Sequence, residues 1–107
     1  PIRGPIQESP LAVCDARSLE ANDLVDTDLV FEERTGKIYT VAHNPNHRWI
    51  YFPLMQANEA LLMKGYDSLD GGQARFTAHT GFDDPTTPVG APARESIEVR
   101  TFVILPK

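Results

Sequence analysis

Apolar residues recur along this chain in short runs, and prolines and glycines separate the runs from one another. This punctuation predicts several short strands joined by loops rather than long helices. The run Leu11–Asp15 follows a proline and predicts a buried strand. The acidic stretch 16–36 predicts a long connecting loop with brief extended pieces, and the stretch 75–80 predicts another strand.

The clearest local pattern is a predicted β-hairpin. Two runs rich in β-branched and aromatic residues, 38–43 and 47–52, flank the turn-forming residues 44–46. Trp49 lies in the second run, and its large indole predicts a substantially buried side chain. One short helix is predicted over 56–64, because a capping asparagine and an acidic residue precede a cluster of apolar residues.

The longest predicted strand covers 94–105. A period of two places Arg94, Ser96 and Arg100 on one polar face and apolar residues on the other. Taken together, the elements predict a mainly β single domain over 1–107, either a sandwich or a barrel. The predicted strands are too few to cover the last one, so missing N-terminal strands or a partner chain are expected to complete the fold.

Composition narrows the class of protein. The 107 residues are 41% hydrophobic and 23% charged, as in ordinary globular domains. The net charge of −5 argues against nucleic acid as a partner, since phosphate binding needs clustered basic residues. No apolar run approaches the roughly 20 residues that span a bilayer. The single cysteine, Cys14, cannot form an intrachain disulfide, and no leader is visible, so a cytoplasmic location is expected.

Candidate chemistry centres on a histidine and a later arginine. His79 lies in a predicted strand, and Arg94 with Ser96 opens the last predicted strand. An imidazole ligand for iron and an arginine fork for a carboxylate would suit a site for iron and an anionic cosubstrate. Two other interpretations stay open. In one, the Arg94 face is a surface stripe of ion pairs. In the other, His43 and His47, which flank the predicted turn, are the polar ends of a solvated turn rather than a two-histidine metal clip.

Seven motifs, in order along the chain, resemble those of one known family. They are Leu11-Ala-Val-Cys-Asp-Ala-Arg-Ser18, His43-Asn-Pro-Asn-His-Arg-Trp49, Phe52-Pro53, Glu59-Ala-Leu-Leu62, Tyr66-Asp-Ser68, His79-Thr-Gly-Phe-Asp-Asp-Pro85 and Arg94-Glu-Ser-Ile-Glu-Val-Arg100. The family is the bacterial and fungal hydroxylase/desaturase family, which includes the cephamycin methoxylation component and fungal secondary-metabolism oxygenases. The resemblance implies a double-stranded β-helix, or jelly-roll, of which this chain is the C-terminal part.

The resemblance also implies cofactors and site residues. It implies an oxidoreductase, a dioxygenase that uses non-haem iron(II), 2-oxoglutarate and oxygen to hydroxylate or desaturate a small-molecule metabolite. His79 matches the distal iron ligand, and Arg94 with Ser96 matches the segment that holds the 2-oxoglutarate carboxylate. The motif with His43, Arg48 and Trp49 is assigned to substrate binding, although hairpin packing is an open alternative. His43 is also the fallback for the distal ligand.

The family's iron site also needs a His-x-Asp pair, and this sequence contains none. The chain therefore holds at most one of three iron ligands, and we expect it to be inactive alone. We expect association with a missing N-terminal portion, or a homo-oligomer. The alternative is a non-catalytic jelly-roll or sandwich module that binds a partner and carries no metal site.

Overall fold

The computed structural model describes residues 1–105 and contains two small antiparallel sheets. The strands are β1 Leu11–Cys14, β2 Leu24–Val30, β3 Thr35–Val41, β4 Trp49–Tyr51 and β5 His79–Gly81. Two short 3-10 turns, Ala16–Ser18 and Ala21–Asp23, connect β1 to β2. The mainly β prediction is confirmed. The predicted short helix is wrong, because residues 1–105 contain no α-helix.

The three-stranded sheet has β1 in its centre, with the order β4-β1-β5. Val13 of β1 lies opposite Ile50 of β4 on one side and His79 of β5 on the other. Directly opposed residues point to the same face of an antiparallel sheet, so these three side chains share a face. The predicted strand over Leu11–Asp15 is confirmed with nearly the same bounds.

The second sheet is a hairpin formed by β2 and β3. Seven residues pair on each strand, from Leu24 opposite Val41 to Val30 opposite Thr35. The Thr27 and Thr40 hydroxyls are 2.8 Å apart across the ladder. The acidic stretch 16–36 therefore contains a full-length strand, and its prediction as a loop is wrong. The apolar residues of β2 form two pairs on either side of Asp26-Thr27-Asp28, a pattern without strand alternation, and the later strand supplies the pairing partner that makes it a strand.

The predicted hairpin between 38–43 and 47–52 is also wrong. Residues 38–41 of the first run pair with β2, which precedes them in the sequence. Trp49–Tyr51 of the second run pairs with β1 in the other sheet. The residues between them still form a turn, in which the Asn44 side-chain oxygen accepts from the Asn46 N–H at 3.0 Å. The turn therefore carries the chain from one sheet to the other.

No helix forms over 56–64. The Glu59 carboxylate accepts from the Gln56 N–H at 2.8 Å, and the Glu59 N–H donates to the Gln56 carbonyl at 3.0 Å, which closes a single turn. The apolar residues after it are consecutive rather than spaced for one helix face, and Leu62 is fully exposed. A helix this short needs a packing surface to persist, and none covers Leu62.

Two strand predictions in the second half of the chain need correction. The strand predicted over 75–80 is only His79–Gly81. The strand predicted over 94–105 does not form: within residues 1–105 the segment joins neither sheet, although the Ile2 N–H donates to the Glu95 carbonyl at 2.9 Å. A strand requires a partner for its backbone hydrogen bonds, and β1 already has both edges occupied.

Trp49 is 42% exposed, so its predicted burial is wrong. It lies on β4, which is an edge strand, and its ring meets His47 edge-on at 6.3 Å between centroids. An edge position leaves one side of a large ring without a neighbouring strand.

The buried interior of the described chain is small. Only four apolar side chains in residues 1–105 are buried: Ile6, Pro10, Ala12 and Cys14. The radius of gyration is 15.9 Å, against about 13 Å for a compact domain of this length. Large apolar side chains on the hairpin and along 97–105 are exposed instead.

The N-terminal segment reaches this interior by close backbone packing. The Ile6 N–H donates to the Met55 carbonyl at 2.9 Å. A Cβ at Gly4 would lie 2.7 Å from the Gln56 Cα, so only glycine permits this approach. Ile6 is carried into the interior by this contact.

We predict that Ile6→Ala lowers the free energy of unfolding by about 2 kcal/mol or more, because it leaves a cavity at a buried site. Ile2→Ala is the matched control, since Ile2 is 60% exposed and should change stability by less than about 0.5 kcal/mol. Urea unfolding of the full-length gene product followed by tryptophan fluorescence measures both. Equal effects of the two variants would contradict the assignment of Ile6 to the core.

Candidate functional site

One face of the three-stranded sheet brings together His79, the residue predicted to bind iron, and Arg94, one of the two residues predicted to bind the cosubstrate. His79 opens β5, and Gly81 lies two residues further on the same face, opposite Leu11 of β1. The His79 side chain is exposed on this face. We call the face that carries Val13, Ile50, His79 and Gly81 the His79 face.

The backbone fixes the tautomer of His79. Its Nδ1 lies 2.9 Å from the Thr77 carbonyl oxygen. A carbonyl oxygen only accepts, so Nδ1 carries the proton and donates it. In the neutral ring Nε2 is then a lone-pair donor, which is the form that binds a metal. Metal-bound histidines commonly have this arrangement, with the second nitrogen held by a carbonyl.

Arg94 approaches the same face from a distant part of the chain. Its Nη1 donates to the Ser9 carbonyl at 2.7 Å, just before β1. A Cβ built at Gly81 would lie 3.4 Å from this Nη1, so the guanidinium rests against β5 at Gly81. Two residues of strand, about 6.6 Å, separate this position from His79. The fold thus brings the His79 imidazole and the Arg94 guanidinium to one face.

Ser96 and Arg100 lie on the unpaired segment that follows. Ser96 is exposed, and the residue before it, Glu95, pairs with Arg3 at 2.9 Å. Arg100 pairs with Glu98 at 3.1 Å on an exposed surface. The predicted common face of Arg94, Ser96 and Arg100 rested on a strand that does not form. Arg94 is the member of that set that reaches the sheet.

The residues predicted to bind substrate separate into different settings. His43 is exposed in the turn before β4. Arg48 pairs with Asp15, and its N–H donates to the Ser18 hydroxyl at 2.9 Å. Trp49 lies on the opposite face of the sheet from His79, because it faces Cys14 in the register. The structure therefore does not bring these three residues to the His79 face.

Arg48 instead belongs to a polar cluster at the end of β1. Arg17 binds the Asp15 carboxylate with Nε at 3.0 Å and Nη2 at 2.8 Å, and Arg48 binds it from across the sheet. These two arginines hold the pKa of Asp15 far below its usual range, the Arg17 hydrogen bond having the larger effect. Asp15 in turn raises the pKa of Arg17. The cluster joins the first and second motifs of the sequence.

A shallow depression of about 420 Å³ adjoins this cluster. It is lined by Arg17, Ser18, Glu20, Asn46 and Arg48. Both arginines already share the Asp15 carboxylate, so their charge is largely compensated there.

A second polar cluster was not predicted from the sequence. The His47 side chain is only 4% exposed, and its Nε2 lies 2.9 Å from the Asp23 carboxylate. Asn44 donates to the same carboxylate at 3.2 Å, and the Glu20 N–H donates at 2.8 Å. His47 donates through Nε2, because a carboxylate accepts, so this nitrogen is not free for a metal. The spacing of His43 and His47 had drawn attention to a metal clip, whereas the partner is an aspartate far away in sequence.

The backbone N–H of Glu20 lowers the pKa of Asp23 most, followed by the hydrogen bond from His47. No group of three or more His, Cys, Asp or Glu side chains within residues 1–105 could hold a metal ion. His79 fits as one ligand of an iron site, and the described residues do not complete that site. The same residues include no helix with the length and apolar character of a membrane span.

Comparison with known proteins identifies the family. The sequence model of a family described as "Oxidoreductase/YMDC permease-like domain" matches residues 1–104. The chain belongs to this family.

Curated relatives carry more specific names. The chain is 42% identical over 96% of its length to aspirochlorine biosynthesis protein N of Aspergillus oryzae. It is 40% identical over 92% of its length to the hydroxylase/desaturase asaB of Aspergillus flavus. It is 33% identical over 96% of its length to the Fe(II)/2-oxoglutarate-dependent dioxygenase nvfI of Aspergillus novofumigatus. The chain spans 44%, 50% and 37% of these relatives, so it covers half of their length or less.

A solved structure with a similar fold is that of the iron and alpha-ketoglutarate-dependent endoperoxidase NvfI. The TM-score is 0.71 and the identity 26%, over 83% of this chain and 33% of the other. The resemblance to fungal hydroxylase/desaturases noted in the sequence is thereby confirmed.

We predict that Asp23→Asn lowers stability at pH 7 and weakens its dependence on acid. The folded pKa of Asp23 lies below its unfolded value of about 3.9. The carboxylate therefore stabilises the fold fully above that unfolded pKa, and the contribution is lost as pH falls through the folded pKa. Urea unfolding of the full-length gene product between pH 7 and pH 2 measures this.

The control for this experiment is Asp26→Asn, which makes the same charge change at an exposed position of β2. It should leave stability at pH 7 nearly unchanged. The assignment of Asp23 fails if both variants show the same acid dependence as the unaltered protein.

Proposed function

We propose that this chain is part of an oxidoreductase that uses non-haem iron(II), 2-oxoglutarate and oxygen on a small-molecule metabolite. The observation that carries the proposal is the His79 face, where an imidazole with a free Nε2 and the Arg94 guanidinium lie two strand residues apart. The names of the relatives support the same chemistry. Bound iron(II), with 2-oxoglutarate and oxygen, would supply the oxidant for hydroxylation or desaturation.

The residues of this chain have separate roles in the proposal. His79 Nε2 serves as one iron ligand, because the Thr77 carbonyl keeps the proton on Nδ1. The Arg94 guanidinium binds the distal carboxylate of 2-oxoglutarate with paired N–H donors, which suit a planar carboxylate. Ser96 adds a hydroxyl on the same segment. His43, Arg48 and Trp49 keep their predicted assignment to substrate binding as part of this proposal.

We further propose that the chain is the C-terminal portion of a longer jelly-roll oxygenase, whose other strands cover its exposed apolar side chains. The support is the small interior, with four buried apolar side chains among residues 1–105. Exposed hydrophobic surface of this extent is typical of an interface rather than of a free domain. The greater length of the relatives gives room for the missing strands and for the remaining iron ligands. Under this proposal, the isolated chain is inactive because it lacks the other iron ligands.

The roles of His79 and Arg94 are tested in the full-length gene product. Arg94→Ala should raise the 2-oxoglutarate concentration at half-saturation by tens-fold, because a buried carboxylate loses about 2–5 kcal/mol with its charged partner. Iron content after anaerobic loading should stay largely intact. His79→Ala should instead abolish iron retention, because a facial site with two protein ligands is poorly held.

Arg100→Ala and His43→Ala are the matched controls. Arg100 is paired with Glu98 on the surface, so its loss should leave cosubstrate affinity unchanged. A rise in half-saturation with Arg100→Ala rather than Arg94→Ala would move the carboxylate site to Arg100. Loss of iron with His43→Ala rather than His79→Ala would make His43 the ligand. A gene product that binds neither iron nor 2-oxoglutarate would favour the non-catalytic module.

If the chain is the C-terminal portion of a longer domain, the isolated chain should expose more hydrophobic surface than the same residues do in the full-length gene product. The isolated 107-residue chain should bind the apolar dye ANS strongly and unfold without a sharp transition, because its hydrophobic surface is uncovered. The full-length gene product should bind little dye and unfold cooperatively. A cooperative transition without dye binding in the isolated chain would show that residues 1–107 are a complete domain.

A further inference from the structure

The Arg94 side chain comes close to β5 at Gly81, while it donates a hydrogen bond to the Ser9 carbonyl. A Cβ at position 81 would be 3.4 Å from Nη1 and 3.7 Å from Nη2 of Arg94. It would also be 3.8 Å from the Ser9 carbonyl oxygen that accepts the Nη1 hydrogen bond. Both terminal nitrogens thus lie at contact distance from an added methyl group. A Cβ alone is accommodated at these distances, and larger side chains at position 81 compete with the guanidinium for the same space.

Gly81 and Ser9 lie on two sides of the Arg94 guanidinium, and we call this pair of residues the cradle. The φ of Ser9 is 47°, in the left-handed region that non-glycine residues rarely adopt. Backbone in this region is kept only where surrounding contacts hold it. Here the residue presents its carbonyl to Arg94, just before β1 begins. The two sides of the cradle come from neighbouring segments, since the Phe82 N–H donates to the Pro10 carbonyl at 3.3 Å.

The cradle leaves most of the Arg94 donors available. The Ser9 carbonyl takes one of the five N–H groups of the guanidinium. The nearest carboxylates in sequence are engaged elsewhere, since Glu95 pairs with Arg3 and Glu98 with Arg100. Arg94 is therefore oriented by a neutral acceptor, which fixes the fork without neutralising its charge.

We propose that Gly81 is a positioning residue for cosubstrate binding. Because it has no side chain, the Arg94 guanidinium lies flat on β5 beside His79, with its remaining donors directed to a carboxylate. The inference rests on the proposed function, since it assigns the carboxylate to 2-oxoglutarate. It concerns the geometry of Arg94 rather than any contact of Gly81 with the cosubstrate.

The test is a graded series at position 81 in the full-length gene product. Gly81→Ala adds a methyl group at ordinary contact distance, so 2-oxoglutarate affinity should fall less than about threefold. Gly81→Val adds two carbons in the space of the guanidinium, and the affinity should fall by tens-fold, as in Arg94→Ala. Valine suits a strand, so the sheet should be retained. Gly65→Val is the matched control, because a Cβ at Gly65 meets nothing within 4 Å.

Two readouts separate positioning from a general loss of structure. Anaerobic calorimetric titration gives the 2-oxoglutarate affinity, while mass spectrometry follows modification of Arg94 by phenylglyoxal without cosubstrate. Gly81→Val should speed the modification, because the guanidinium leaves the Ser9 carbonyl. The double variant Gly81→Val/Arg94→Ala should bind 2-oxoglutarate no more weakly than Arg94→Ala, since both changes remove one interaction. If Gly81→Val does not fold, Gly81→Ser replaces it throughout the series.

The outcomes distinguish this inference from the proposed function. If the unaltered protein does not bind 2-oxoglutarate, the proposed function fails and the cosubstrate role of Gly81 fails with it. If the unaltered protein binds and Gly81→Val binds equally well, the proposed function stands and the inference is overturned. Additive losses in the double variant, or equal losses with Gly65→Val, also overturn it.

Discussion

The double pairing of β1 is the interaction on which the rest of the structure depends. This four-residue strand uses both of its edges, with β4 on one side and β5 on the other. Its central residue, Val13, aligns Ile50 and His79 across the sheet. The segment before it supplies the carbonyl that holds Arg94, and the residue after it, Asp15, holds Arg48. Three separate parts of the sequence, residues 48–51, β5 and Arg94, are therefore placed by one short strand.

Polar contacts replace much of the work that a hydrophobic interior would do. Asp15 and Asp23 each collect several donors, both from neighbouring residues and from segments that are distant in sequence, and Asp23 is itself buried. Hydrogen bonds to carboxylates are stronger than those between neutral groups. They define how the loops leave the sheets, whereas four small or medium apolar side chains supply the buried volume. This balance explains why the chain has definite local geometry with little interior.

Sequence patterns predicted the parts of the fold that depend on local chemistry. The strand at Leu11–Cys14 and the turn at Asn44 were found because proline, asparagine and apolar runs have direct local consequences. The pairing of the strands was not predicted, because no local pattern indicates whether residues 38–41 pair with the preceding β2 or with the run that follows them. The short helix failed because it was judged on composition, without the surface it would need to pack against.

In the candidate site, too, some residues could be predicted from the sequence and others could not. His79 and Arg94 were singled out by residue type and by resemblance, and both reach one face of the sheet. The strand predicted to carry Arg94 does not form, so the period-two argument placed this arginine on the wrong element. The roles of Asp23 and Ser9 had no sequence signal, because each depends on a partner brought from far along the chain.

The span of these pairings has a consequence for the order in which the chain folds. The β2–β3 hairpin joins neighbours in sequence, and Leu29 meets Gly36 across a short loop. The pairing of Val13 with His79, and the contact of Ser9 with Arg94, close loops that include most of the chain. Closing a long loop loses more chain entropy before any contact compensates it, so such contacts form late. During synthesis on a ribosome, the hairpin is therefore complete while β1 still has an open edge, and the His79 face is assembled only after Arg94 has emerged.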